Sequence, residues 1–427
     1  MCSRHRTGGP AAPPRSSETA SSGRDDRLPT IHSVDEYRDR IEQLLRPLAA
    51  RPLETVPVPD ALGRQTAEEI RAPIDLPVFR NSAMDGYAVR AQDVADAPVT
   101  LPLTGVVAAG GPAPEPLAPG TARKVMTGAP VPAGTDCVIP VEDTRVRGGE
   151  VVIDRGRESG AFVREPGTDI RAGAPLIAAG TTLASRHIAA LAAVGVSDVR
   201  VFEPIRAAVI TTGDELVPAG SPLGPGQIYD SNGIALAAAL SANGVTVTRI
   251  DHSGDDPAAF QRLLAETTAA ADLVFTSGGV SRGDFEVVRE VLGPLGGWFG
   301  SVAMQPGGPQ GLTVVEGVPV LSFPGNPVST LVSFEVFARP ILRRLAGLPA
   351  VEASEAPLLS AVRSPEGRRQ FLRGRWTRGA EQPRSVELVS GPGSHLVASM
   401  AAAEVLIEVP EAVTELPVGA TVRVWSL

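Results

Sequence analysis

Apolar residues at Val34, Tyr37, Ile41, Leu44 and Leu45 recur at helical spacing and predict one buried helix face. Ser33 and Glu36 stand three residues apart at its start, the spacing of a capping box. From about residue 101 to 153 the period changes. Short β-rich runs (Leu101–Val107, Arg123–Met126, Asp136–Val141, Glu150–Ile153) alternate with Gly/Pro turns and predict a small β domain. Ala178 to Val194 returns to a helical pattern that ends at Gly195. Helices therefore flank the β-rich stretch, which reads as a module inserted into an α-rich or elongated domain.

Residues 205–345 alternate more regularly. Strands are predicted at Arg206–Thr211, Val245–Ile250, Leu273–Thr276, Val302–Met304, Gly311–Val315 and Val320–Phe323. Helices are predicted at Asn232–Ala242, Pro257–Ala270, Phe285–Leu292 and from Pro327 to Leu345. Such βαβ alternation implies a parallel or mixed sheet covered by helices. Residues 350–427 hold short strands and no helix longer than Val397–Ala403, the pattern of a small barrel or sandwich. The fold class is multidomain α/β plus β. Residues 1–28 carry almost no large apolar side chain and read as a disordered tail. They lack the apolar stretch of a signal peptide, and Glu18, Asp25 and Asp26 count against a transit peptide.

Composition narrows the function classes. The net charge of −9 disfavours non-specific nucleic-acid binding. Two cysteines, Cys2 and Cys137, offer neither a disulfide framework nor a four-cysteine metal site. No apolar run reaches membrane-spanning length, so the expectation is a cytoplasmic protein without membrane contact. Lys124 is the single lysine, so cationic donors here are nearly always guanidinium groups. The five histidines are scattered, without metal-ligand spacing. His187 reads as packing or surface, and Cys137, in a β run, as buried and inert. There is no G-x-x-x-x-G-K-[ST], no G-x-G-x-x-G after the first strand and no G-x-S-x-G, which excludes a P-loop, a dinucleotide fold and a serine hydrolase elbow.

What remains is a set of loops. In an open α/β sheet, ligands bind beyond the carboxyl ends of the strands. Those ends run into Thr211-Thr212-Gly213-Asp214-Glu215-Leu216, Thr276-Ser277-Gly278-Gly279-Val280-Ser281-Arg282-Gly283-Asp284, and Phe323-Pro324-Gly325-Asn326-Pro327. Unpaired backbone N–H groups beside helix starts favour an anion, and Ser277-Gly278-Gly279 is the strongest single candidate. Glu215, Asp255, Asp284 and Glu286 flank these loops, and Asp85 lies in a separate polar cluster, Asn81–Ala88. Oxygen ligands of this kind beside a phosphate suit Mg²⁺. Acidic residues near helix starts also serve as caps, so Asp255 and Glu286 are not singled out by position alone.

In their order along the chain, six segments resemble the bacterial molybdopterin molybdenumtransferases, the molybdate-inserting enzymes of molybdenum-cofactor biosynthesis. They are Asn81–Ala88, Lys124–Pro130, Thr211–Leu216, Ile228–Asn232, Thr276–Gly283 and Phe323–Pro327. The resemblance covers nearly everything from residue 33 onward. It implies an elongated homodimer of four-domain chains: an N-terminal domain from 30–100 plus 155–204, an inserted β domain at 101–154, a three-layer α/β molybdopterin-binding domain at 205–345 similar to molybdopterin-adenylylating enzymes, and a C-terminal β-barrel at 350–427. It implies adenylylated molybdopterin and molybdate as substrates, Mg²⁺ as cofactor, AMP as product, and contacts with other cofactor-biosynthesis proteins. Carried over by motif, Asp85, Thr127, Glu215 and Asp255 are catalytic, with Asp85, Glu215 and Asp255 on the metal. Thr212, Gly213, Ser277, Gly278, Gly279, Ser281, Arg282, Asp284, Pro324, Gly325, Asn326 and Pro327 hold the substrate and its phosphate. Asp85 then comes from the partner subunit.

The chain departs from the family in places. A Lys-Pro-Gly-Lys-Pro run is here Gln305-Pro306-Gly307-Gly308-Pro309, without either lysine. Glu286 stands where Asp is common, and a Gly-Glu-Asp turn is Gly167-Thr168-Asp169. Charge-assisted hydrogen bonds are about twice as strong as neutral ones, so losing two cations weakens anion binding unless another group replaces them. Arg282, just past the glycine turn, is the expected replacement. Beside the transferase stands a second reading, a divergent paralogue that binds the pterin or mature cofactor with weak or no activity. A scaffold role has no charged linker or extra domain in its support.

Overall fold

The computed structural model describes residues 32–281, 286–377 and 384–427. The expected tail, Arg282 and Asp284 lie outside the described residues. The first helix, α1 (Val34–Leu45), begins in the expected capping box. The Ser33 hydroxyl accepts from the Glu36 N–H, and the Glu36 carboxylate accepts from the Ser33 N–H. Its face of Val34, Tyr37, Ile41 and Leu45 is buried in the core of the α/β sheet. The Tyr37 hydroxyl donates to the Gly311 carbonyl at 3.3 Å, and its ring packs on Trp298 and Phe337. By packing, α1 therefore belongs with a sheet some 160 residues downstream.

The stretches before and after the insert are joined by short antiparallel pairs. Leu53–Pro57 pairs with Asp198–Phe202, Ile70–Arg71 with Pro175–Ile177, and Asn81–Ser82 with Val163–Arg164. The helix expected over 178–194 is shorter, α2 (Ser185–Ala193). Gly180 turns with positive φ and the Thr66 N–H donates to the Thr181 carbonyl, so the segment before Ser185 is spent on bridging. His187 is the cap of that helix: its Nδ1 accepts from the Ala184 N–H at 3.0 Å. The inserted sheet has six strands in the order Cys137–Pro140, Gly86–Val89, Ala122–Val125, Val99–Val107, Glu150–Ile153, Thr144–Arg147. It takes in Gly86–Val89, which precedes the β-rich stretch seen in the sequence.

The α/β sheet has the order Val245–Ser253, Ile205–Thr212, Leu273–Ser277, Val318–Phe323, Pro309–Val315, Trp298–Ser301. The first four strands are parallel, and Pro309–Val315 runs antiparallel to both of its neighbours, Val318–Phe323 and Trp298–Ser301. Helix α3 (Asn232–Ala242) and the composite helix α6 (Pro327–Ser333), a π-helical turn at Phe334–Ala338, and α7 (Arg339–Leu345) cover one face; α4 (Pro257–Thr268) and α5 (Val287–Leu292) cover the other. This is a three-layer α/β domain. The chain leaves Ile205–Thr212 for one neighbour and returns on its other side at Leu273–Ser277, so the topological switch lies between those two strand ends.

The C-terminal sheet is ordered Met304–Gln305, Arg369–Thr377, Val405–Val409, Thr421–Ser426, Ala353–Pro357, with Ser385–Leu388 also pairing to Arg369–Thr377. Its first strand thus comes from the α/β region. Arg369 fastens the junction, reaching Asp35 of α1 at 2.7 Å and Glu411 at 2.9 Å. No helix among the described residues is long and apolar enough to cross a membrane.

Candidate functional site

A cleft of about 690 Å³ opens at the carboxyl ends of the parallel strands. Its lining includes Thr212, Gly213, Glu215, Asp255, Ser277, Gly278, Gly279, Ser281, Pro324, Gly325, Asn326 and Pro327, which gathers the three loops singled out in the sequence. Glycine is required at the turn. Gly278 and Gly279 have φ of +99° and +64°, and a Cβ on Gly278 would come within 2.8 Å of the Thr212 carbonyl oxygen. The backbone here is therefore open to a ligand on one side and packed on the other.

Polar side chains lock the three loops together beneath the cleft. Asn232 Nδ2, at the start of α3, donates to Ser277 Oγ at 2.9 Å and to the Gly325 carbonyl at 2.8 Å. Thr330 Oγ1 donates to the Pro324 carbonyl at 2.6 Å. Asp230 accepts from Thr211 Oγ1 at 2.6 Å and from the Gly233 N–H at 3.1 Å. These groups are buried or partly buried and mutually satisfied, which fixes the loop geometry before any ligand arrives. Sequence inspection names the loops; the bracing role of Asn232, Asp230 and Thr330 emerges only once the strands are side by side.

The acidic groups divide into two sets. Asp255 sits beside Asp214, whose Oδ1 accepts the Asp255 N–H at 3.1 Å. Burial, and then the charges of Asp214 and Glu215, push the Asp255 carboxyl above its ordinary value. Glu286 Oε2 accepts the Ser281 N–H at 2.7 Å and so braces the glycine loop. Asp85 and Thr127 lie elsewhere, on the inserted sheet and not on this cleft of the same chain. Gly86 pairs with Val125, so Asp85 and Thr127 meet at the same end of neighbouring strands. Asp85 Oδ1 accepts from the Thr127 N–H at 2.6 Å and from Thr127 Oγ1 at 2.8 Å. Those two bonds hold the Asp85 carboxyl below its ordinary value. Among the described residues no three His, Cys, Asp or Glu side chains are grouped as a ready-made metal cage.

Two features were missed in the sequence. His395 lines the cleft from the C-terminal sheet side. Arg373 is fully buried in that sheet and donates to Ser390 Oγ at 3.2 Å and to the carbonyls of Gly391 and Gly393. The clustered turn Gly391-Pro392-Gly393-Ser394-His395 was the available signal. The Gln305 side chain is engaged: its Oε1 accepts from Gln370 Nε2 at 2.6 Å.

Comparison with known proteins agrees with this architecture. Residues 32–195 match the MoeA N-terminal region (domain I and II), 208–344 a probable molybdopterin binding domain, and 355–427 the MoeA C-terminal region (domain IV). Molybdopterin molybdenumtransferase 2 of Mycobacterium tuberculosis H37Rv is 41% identical over 410 residues, covering 93% of this chain and 100% of its own. Molybdopterin molybdenumtransferase 1 of the same strain is 35% identical, covering 93% of this chain and 99% of its own. The crystal structure of the molybdopterin biosynthesis MoeA protein from Pyrococcus horikoshii superposes with a TM-score of 0.78 at 34% identity, covering 93% of this chain and 99% of that one. The order of the strands, the loops at their carboxyl ends and these full-length matches agree: the chain belongs to the molybdopterin molybdenumtransferase family.

Proposed function

We propose that this chain inserts molybdate into adenylylated molybdopterin and releases AMP, giving molybdenum cofactor. The observation that carries the reading is the cleft itself. Three glycine-bearing loops are locked around a pocket whose rim holds Glu215 and Asp255. Family membership supplies the substrate class, and the cleft supplies groups suited to it: N–H donors for a phosphate, and carboxylates for a cation that accompanies it.

The crowding at Asp255 fits Mg²⁺. A carboxyl raised by burial and by two neighbouring acids is relieved by a divalent cation, and Mg²⁺ uses one or two carboxylates together with waters and substrate phosphates rather than a complete protein cage. Glu215 and Asp255 of one subunit, with the partner subunit's Asp85, are the proposed ligands. When bound there, Mg²⁺ supplies charge neutralisation for the phosphate and for the departing AMP. The chain's own residues do the rest. The Ser277–Gly279 turn and the Pro324–Pro327 loop orient the phosphate, Thr212 and Ser281 border it, and Thr127 holds the Asp85 carboxylate ionised and aimed.

The acting form is a cytoplasmic homodimer in which the inserted sheet of one subunit faces the cleft of the other. The separation of Asp85 from the cleft of its own chain supports that arrangement. Light scattering tests it, and a monomer at micromolar concentration would remove the shared site. The decisive assay supplies purified adenylylated molybdopterin, Mg²⁺ and molybdate, and measures AMP release and bound molybdenum. Release of AMP with molybdenum retained on the pterin supports the transferase. Tight pterin binding without AMP release would support the divergent paralogue, which the neutral Gln305 and Gly308 positions favour.

A further inference from the structure

Among the described residues that line the cleft, Glu215, Asp230, Asp255 and Glu286 are acidic, none is lysine or arginine, and one is a histidine, His395. An oxyanion entering this cleft meets like charge, and repulsion at such range is substantial outside bulk water. The two places where the family carries lysine give no help. Gln305 is paired with Gln370, and Gly308 has no side chain.

His395 is presented from a different sheet, on a turn held from both sides. On one side the Ser394 carbonyl accepts the Val328 N–H, in the first turn of α6, at 3.0 Å. On the other, the buried Arg373 guanidinium holds Ser390, Gly391 and Gly393. The Val397 N–H donates to the His395 carbonyl at 2.9 Å, which closes the turn. The imidazole itself is exposed. A pre-set backbone carrying a solvent-facing ring at a pocket wall is the arrangement of a ligand contact, because the cost of ordering the loop is met by the fold.

We propose that His395 is an oxyanion-binding residue of the cleft, donating an imidazole N–H to the substrate's phosphate or to molybdate and standing in for the lysines absent at Gln305 and Gly308. The imidazole offers an N–H donor in either protonation state. The inference rests on the reading of the cleft as an oxyanion site.

Calorimetric titration of the full-length chain with AMP and, separately, with sodium molybdate, both with Mg²⁺ present, tests it. His395→Ala should weaken one of the two anions by about tenfold, equivalent to about 1.4 kcal/mol. The anion affected identifies the source of the oxyanion. His395→Gln, which keeps an N–H donor, should recover part of the loss. An unchanged melting curve for both variants, expected for an exposed side chain, assigns the loss to binding. Affinities within twofold of wild type for both anions overturn the proposal, as does a loss seen with Arg282→Ala and not with His395→Ala. If the unsubstituted chain binds neither anion, the reading of the cleft fails and this inference with it.

Discussion

Asp85 and Asp255 both stand in loops beside strand ends, and their surroundings are opposite. Asp85 is complete within its own sheet. Two donors from Thr127 hold its carboxyl below the ordinary value, with Lys124 adding to the effect. Asp255 is incomplete. Burial and the charges of Asp214 and Glu215 hold its carboxyl up, and a hydrogen bond it accepts from the Asp214 backbone only partly offsets them. The contrast separates two ways of preparing a carboxylate for cation and phosphate chemistry. One is ionised in advance by local hydrogen bonds; the other is left in excess negative charge that a positive ligand would relieve.

The strongest way to break this comparison is to remove the crowding. Glu215→Gln keeps size and removes one charge beside Asp255. AMP release should fall at least about 100-fold, since cation-assisted charge stabilisation is worth several kcal/mol. The melting temperature should hold. The Asp255 carboxyl should move down towards its ordinary value, read by NMR titration. Activity kept within tenfold would remove Glu215 from the site.

A second test asks whether the cleft depends on the C-terminal sheet while Asp85 does not. Arg369 is mostly buried; burial alone would lower it, but hydrogen bonds to Glu411 and Asp35 outweigh that and raise it. The same bonds hold Asp35 and Glu411 below their ordinary values. Arg369→Met should destabilise by about 2 kcal/mol, below the figure for a fully buried pair because both carboxylates remain largely exposed. A depressed carboxyl stabilises above its unfolded value, and that contribution is lost as pH falls through the folded one. The gap between wild type and Arg369→Met should therefore be constant near neutrality and close below about pH 4. Anion binding in the cleft should weaken as well, because Met304–Gln305 is paired to the strand that starts at Arg369. The Asp85 titration should not move. A shift at Asp85 would show that the two regions are coupled.

Within the inserted sheet the effect should be smaller. Thr127→Val removes the hydroxyl donor and leaves the N–H bond at 2.6 Å. The Asp85 carboxyl should rise towards its ordinary value and AMP release should drop about tenfold, the cost of one hydrogen bond to a charged group. Thermal melting, unchanged, would check that the sheet is intact. An unmoved Asp85 titration would mean that the backbone bond alone sets its charge.

The strands and loops of residues 205–345 were legible because each is a local pattern. Asn232–Ala242 follows from the strand–helix alternation and matches the folded helix to the residue, and the three cleft loops follow from glycine and polar runs after apolar strands. Sheet membership was not legible. Met304–Gln305 joins a sheet built mostly of residues beyond 350, and Gly86–Val89 joins one built mostly of residues beyond 99. Two- and four-residue strands leave almost no periodic signal. The loops at the sheet edge could be named as candidates, whereas His395 reached the cleft through a turn fixed by Arg373 and Val328, contacts invisible until the chain is folded. The helical pattern over 178–194 runs longer than the folded helix because alanine-rich sequence carries high helix propensity, which the bridge from Thr66 to Thr181 overrides.

The mildest perturbation concerns the position where the family has lysine and this chain has Gly308. A side chain there is permitted. Gly308 is not in the left-handed region, and a Cβ would meet its nearest neighbours, Ser301 Oγ and the Val302 carbonyl oxygen, at 3.5 Å, ordinary contact distance. Gly307 differs: its φ is +96°, so the neighbouring glycine is a backbone requirement while Gly308 is not. Gly308→Lys, at a half-buried position with room for a Cβ, should therefore fold with a stability change of no more than about 1 kcal/mol. If the cleft is short of positive charge, the added ammonium should raise molybdate or AMP affinity by about threefold, a modest gain because a flexible lysine loses side-chain entropy on contact. The gain should be larger in a His395→Ala background, where the same anion has lost its imidazole donor, and such non-additivity is the signature of two groups serving one ligand. Equal gains in both backgrounds would place the lysine and the histidine on different anions. No gain in either would mean that the cleft's acidic rim is balanced by the bound cation alone, and the contrast between Asp85 and Asp255 would then suffice to explain its charge.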